Sequence, residues 1–131
     1  MAHGFLIDPV ARTITAVECD VASSLEPAYA LLDCEYVEVM QLGGNTIMLV
    51  DEEAMARPYH DQGHFCIGPR PDAVGPVGSA RPVRGRGLVL GVTGAEMTDA
   101  RIKLETLENA IRFITPEAAA YLLSKQNPLF G

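Results

Sequence analysis

The residues best equipped for chemistry lie in "PYHDQGHFCIGPRP", positions 58–71, where His60, Asp61, His64, Cys66 and Arg70 crowd together. Two chemistries could use them. As a metal centre, His60 and His64 stand four apart, the spacing that sets two imidazoles on one face of a helix, with Asp61 and Cys66 as further ligands. Pro58, Gly63 and Gly68 interrupt the segment, and without a helix that spacing loses its geometric meaning. As a nucleophile, Cys66 needs a thiolate with a base beside it, and on a strand His64 would share its face. No residue pattern supplies a group to orient the histidine or an oxyanion site, and Cys66 between Phe65 and Ile67 is better explained as a strand residue. The segment is therefore expected to be a loop with His60, Asp61 and His64 as polar surface. No catalytic residue, metal or cofactor is expected.

The elements that must position these residues follow from hydrophobic alternation. "GFLID" and "TITAVEC" read as two strands joined across "DPVAR", where Asp8-Pro9 favours a turn. After Ser23 or Ser24 as cap, "LEPAYALL" places Leu25, Ala28, Tyr29 and Leu32 on one helical face, with Pro27 tolerable in the first turn. "EYVEVMQL" alternates, "GGN" supplies the positive-φ turn, and "TIMLVD" returns as a more apolar strand. "HFCI" fits a short strand. From Gly68 to Gly87, glycine and proline predict one long irregular loop, unusual in a compact domain unless functional or mobile. "GLVLGV" then resumes as a buried strand. The stretch from Thr98 to Thr115 fits a short helix followed by a strand "AIRFI", and Thr115 with Pro116 and Glu117 opens a last helix.

These elements predict a single α+β domain over residues 1–131, an antiparallel sheet built from hairpins with one helix after the first hairpin and another at the C-terminus. Leu6, Val37, Val39, Ile47, Leu49, Leu88 and Leu90 are its expected sheet core. A chain of 131 residues can bury such a core without staples. Its three cysteines, Cys19, Cys34 and Cys66, cannot all pair with one another and lack a CxxC spacing, so they read as reduced, mostly buried thiols. The start "MAHGFLIDP" has neither the basic flank nor the apolar run of a signal peptide, and no stretch is apolar enough to span a bilayer. A cytoplasmic location without membrane attachment is expected.

Two stretches, "LLDCEYVEVMQLGGNTIMLVDEEAM" and "GHFCIGPRP…GRGLVLGV", resemble a family of uncharacterised domains found in bacteria, phages and plasmids. That family pairs a "YVEV" strand with an apolar strand ending in Asp-Glu and carries a later glycine-rich valine strand. Ala54 stands where the family pattern has a glycine. The resemblance covers about half the chain and implies a compact domain associated with mobile elements, with no assigned chemistry.

Charge is the other informative pattern. Seventeen acidic against ten basic residues give a net charge of −7, which disfavours a general nucleic-acid binder. Between Thr13 and Ala56 no Lys or Arg accompanies Glu18, Asp20, Glu26, Asp33, Glu35, Glu38, Asp51, Glu52 and Glu53, whereas Arg70, Arg81, Arg84 and Arg86 face only Asp72. The arginine loop could lie across the acidic hairpin in screened pairs of small value. Otherwise two functional readings follow. In the leading one, an acidic face of Glu35, Glu38, Asp51, Glu52 and Glu53 imitates nucleic-acid phosphates and binds a protein partner, making this a small non-enzymatic accessory protein; self-association stays open. In the alternative, Arg70, Arg81, Arg84 and Arg86 hold a small anion or nucleotide.

Overall fold

A computed structural model describes residues 1–22, 24–56, 63–68 and 81–126. They form a single α+β domain of antiparallel sheets, as the alternation predicts. Strands β1 (Ala2–Asp8) and β2 (Thr13–Cys19) pair in unbroken register from Ala2↔Cys19 to Asp8↔Thr13. The Asp8 carboxylate closes their turn, Oδ1 accepting from the N–H groups of Val10 at 3.0 Å and Ala11 at 3.2 Å. Strands β3 (Val37–Gly43) and β4 (Thr46–Asp51) form the second hairpin, around Gly43, Gly44 and Asn45 with φ of 86°, 59° and 63°.

Helix α1 (Glu26–Leu32) lies between the hairpins. It starts slightly later than the sequence suggests, with Leu25 at the cap position; Ser24 Oγ accepts instead from Glu26 N–H at 3.3 Å. Asp33 ends it in the left-handed region at φ 53°. Strand β5 (His64–Ile67) confirms "HFCI" as a strand. The expected loop of 68–87 is broken by strand β6 (Arg81–Arg84), which pairs with β5. Pro82 hid it: proline argues against a central strand and is compatible with an edge, which is where β6 lies. Strand β7 (Gly87–Thr93) turns into β8 (Glu96–Thr98), followed by α2 (Leu104–Ala110), β9 (Ile111–Ile114) and α3 (Pro116–Gln126). Thr115 Oγ1 accepts from Ala118 N–H at 3.1 Å, the cap the sequence predicts.

The main sheet runs β2-β1-β7-β4-β3, with β8 on the far end of β7, and the second sheet runs β6-β5-β9. One face of the main sheet takes α1, where Ala28 and Leu32 join Ile47, Leu49, Leu88 and Leu90 in a fully buried cluster. The other face takes the second sheet and α2, where Phe65, Val83, Leu107 and Ile111 meet Ile7, Met48, Val50 and Val89. Gly87 permits the close approach, since a Cβ there would stand 2.7 Å from Met48 Sδ and 3.1 Å from Phe65 Cζ. Helix α3 packs against β5 and β6.

Of the expected core, Ile47, Leu49, Leu88 and Leu90 are buried, and Leu6 and Val37 are partly buried against them. Val39 departs from the expectation and is 46% exposed. It has the right side of the strand, but β3 is the sheet edge and α1 packs chiefly over β7 and β4. The contrast sets an expected outcome in denaturant unfolding: Phe65→Ala loses about 3–5 kcal/mol and Leu88→Ala about 2–5 kcal/mol. Val39→Thr stays within about 0.5 kcal/mol of the parent. A Val39→Thr loss as large as that of Leu88→Ala would contradict the sheet order.

Candidate functional site

His60 and Asp61 lie outside the described residues; His64 and Cys66 do not. The alternation of β5 sends Phe65 and Ile67 to the main sheet and His64 and Cys66 to the opposite side, where α3 packs. The two do share a face, as the i, i+2 spacing requires. His64 is nevertheless not polar surface: it is 1% exposed. Its partner is Arg84, whose Nε–H donates to His64 Nε2 at 3.1 Å across the β5–β6 pair His64↔Arg84. An arginine N–H can only donate, so Nε2 is the accepting atom and offers its lone pair to this contact. That lone pair is thus engaged by a cation rather than aimed at a thiol.

Cys66 is equally buried, and burial pushes its thiol above the ordinary value of 9.0, against a smaller downward pull from Arg112. Cys19 is raised too, first by burial and then by the neighbouring Asp20 carboxylate. A thiol held protonated and buried is a packing residue, not a nucleophile. Among the described residues no group of three His, Cys, Asp or Glu side chains converges as a metal site.

The arginines of the alternative site diverge. Arg70 lies outside the described residues and Arg81 is described only by its backbone. Arg84 faces outward on the second sheet with His64. Arg86 turns to the other side of the molecule, where its Nη1–H donates to the Leu31 carbonyl at 3.1 Å and its Nε lies 3.8 Å from Asp8 Oδ2. It thereby holds a last-turn carbonyl of α1 against the β1–β2 turn, a role with no signal in "GRG". Arg84 and Arg86 therefore do not approach a common anion.

The acidic residues behave differently. Asp51 is 7% exposed, and its Oδ1 accepts from Glu53 N–H at 2.9 Å, shaping the turn that ends β4. Glu35, Glu38, Glu52 and Glu53 are exposed and, among the described residues, enter no ion pair. Glu52 N–H donates to the Tyr36 carbonyl at 3.0 Å, which draws the segment before β3 against the segment after β4. Three glutamates thus gather at one end of the hairpin, and Glu38 follows on β3. Tyr36, 56% exposed, lies just before β3 beside Glu35, and Val39, 46% exposed, follows on β3. Sequence reasoning found the carboxylates; it missed the two apolar side chains because alternation alone cannot tell an edge strand from a central one.

Two surface depressions, of about 270 Å³ beside Asp20, Met97 and Asp99 and about 310 Å³ beside His3, Phe5 and Glu18, are lined by none of the expected acidic-face or arginine site residues. No helix among the described residues is long and apolar enough to cross a membrane. No family model matches the chain, and no curated protein or solved structure shows significant similarity to it.

The thiols provide a check with a defined sign. Because the folded values of Cys66 and Cys19 are raised, the fold favours the protonated thiol; that contribution is complete below pH 9.0 and is lost as pH rises through the folded value. Unfolding free energy is expected to fall between pH 9 and the folded value, and Cys66→Ala should make that fall shallower. Rapid modification of Cys66 by a disulfide reagent in the native protein at neutral pH would contradict the assignment.

Proposed function

We propose that the protein acts by binding rather than by catalysis, and that its binding surface is the acidic end of the β3–β4 hairpin. The partner is a basic protein. The observation that carries this reading is that Glu35, Glu38, Glu52 and Glu53 stay exposed and, among the described residues, meet no counter-ion, while Arg84 and Arg86 bond to His64 and the Leu31 carbonyl. Leaving like charges together unneutralised costs folding energy and gains a field that steers a cationic partner. Tyr36 beside Glu35 adds the apolar contact area that interfaces use and that electrostatics alone lacks. An accessory role of the kind found on phages or plasmids, in the cytoplasm, is consistent with the family resemblance.

The test is charge reversal with an internal control. The triple variant Glu35→Lys, Glu38→Lys, Glu52→Lys should lose retention of basic host proteins by the immobilised domain, whereas Arg12→Glu, exposed at the first turn, should retain it. Raising salt should weaken binding steeply, since exposed charges are screened over about 8 Å at physiological ionic strength. Equal retention by parent and triple variant, both folded by circular dichroism, would overturn the proposal.

A further inference from the structure

The phase of the backbone along β3 says how a partner would be held. The Glu52–Tyr36 hydrogen bond continues the register Val37↔Asp51 by one residue, which makes 36 and 52 a hydrogen-bonded pair. In an antiparallel ladder such pairs alternate, so Glu38↔Val50 and Met40↔Met48 are the next ones. The N–H and C=O groups of Val37, Val39 and Gln41 consequently point away from β4. The other side of β4 agrees: Val92 N–H donates to the Asn45 carbonyl at 2.9 Å, which commits Ile47 and Leu49 to β7 and leaves Met48 and Val50 for β3. Among the described residues, the outward groups of Val37, Val39 and Gln41 meet no backbone partner.

Open edges are normally blunted by lysine, proline or a bulge. β6 carries Pro82, and β9 is short and joined directly to α2. β2 likewise lacks lysine, proline and a bulge, but its one carboxylate, Glu18, lies 3.6 Å from His3, whereas Glu38 on β3 enters no ion pair among the described residues. β3 has neither lysine nor proline, and its bulge, between Gln41 and Gly43, falls at the turn end and leaves 37–41 regular. It also exposes Val39 beside Glu38.

We propose that the outer edge of β3 takes an extended basic segment of the partner as an added strand, with backbone bonds to Val37, Val39 and Gln41. This rests on the acidic-surface reading. Alternation then fixes the segment's chemistry: Lys or Arg on the side of Tyr36 and Glu38, and β-branched apolar residues on the side of Val37 and Val39. A second copy of this chain is a poorer occupant, because molecules of net charge −7 repel one another.

The probe is a peptide of about ten alternating Lys and Val residues, with the same peptide N-methylated at every residue as its control. Both keep the charges; only the first can donate to the edge. The inference expects the unmethylated peptide to bind and to slow amide exchange of Val37, Val39 and Gln41 about tenfold or more. The methylated peptide should not bind. Val39→Pro, which removes an outward N–H and no bond to β4, should lose peptide binding while still unfolding cooperatively. If that variant fails to fold, the exchange pattern of the parent protein and the methylated control decide. If both peptides bind equally and the triple Lys variant binds neither, the acidic surface stands and strand addition is overturned. If neither binds, both fall. Slowed exchange at these amides without peptide, growing with protein concentration, would make a second copy the occupant and overturn the inference.

Discussion

The structure depends on the burial of β4 and β7 from both sides. Every residue of β4 is buried, and so are Gly87 to Gly91 of β7. One face is closed by Ala28 and Leu32 of α1, the other by Phe65, Val83 and Ile111 of the second sheet. Large apolar side chains on alternate faces of the same strands tie three layers into one unit. Gly87 is the narrow point at which the layers come close enough to do so. Arg86, beside it in sequence, adds a polar tie between α1 and the first turn.

That central burial leaves the periphery open. Because α1 contacts β7 and β4, the flanking strand β3 keeps Val39 exposed, and the segments on either side of the hairpin carry their carboxylates into solvent. The same asymmetry accounts for the arginines. Arg84 is drawn to the outward side of the second sheet by His64, and Arg86 to the α1 side by the Leu31 carbonyl. Among the described residues, neither forms an ion pair with Glu35, Glu38, Glu52 or Glu53.

Much of this architecture is legible in the sequence where local chemistry and burial agree. Asp8, the Gly43-Gly44-Asn45 turn and Thr115 mark their boundaries because each supplies a side-chain acceptor or a positive φ that the backbone needs. The helix–strand switch at Ala110 is readable from the change in apolar spacing. Other features require the tertiary structure. β6 hides behind Pro82, and β8 is a three-residue strand fixed by its pairing with β7. The burial of His64 depends on a neighbour twenty residues away that occupies its ring nitrogen. Asp51 looks like its acidic neighbours in sequence, and its inward position is decided by the turn it shapes. Val39 and Tyr36 become surface features only once β3 is known to be an edge.

The central claim is that a partner sits on the acidic end of the β3–β4 hairpin. Zero-length carbodiimide coupling of carboxylates to partner lysines, located by peptide mass spectrometry, reports that contact directly. A bound basic protein should be joined through Glu35, Glu38, Glu52 or Glu53. Coupling confined to the exposed carboxylates Glu96, Glu105, Glu108 and Glu117, which belong to β8, α2 and α3, would contradict the account.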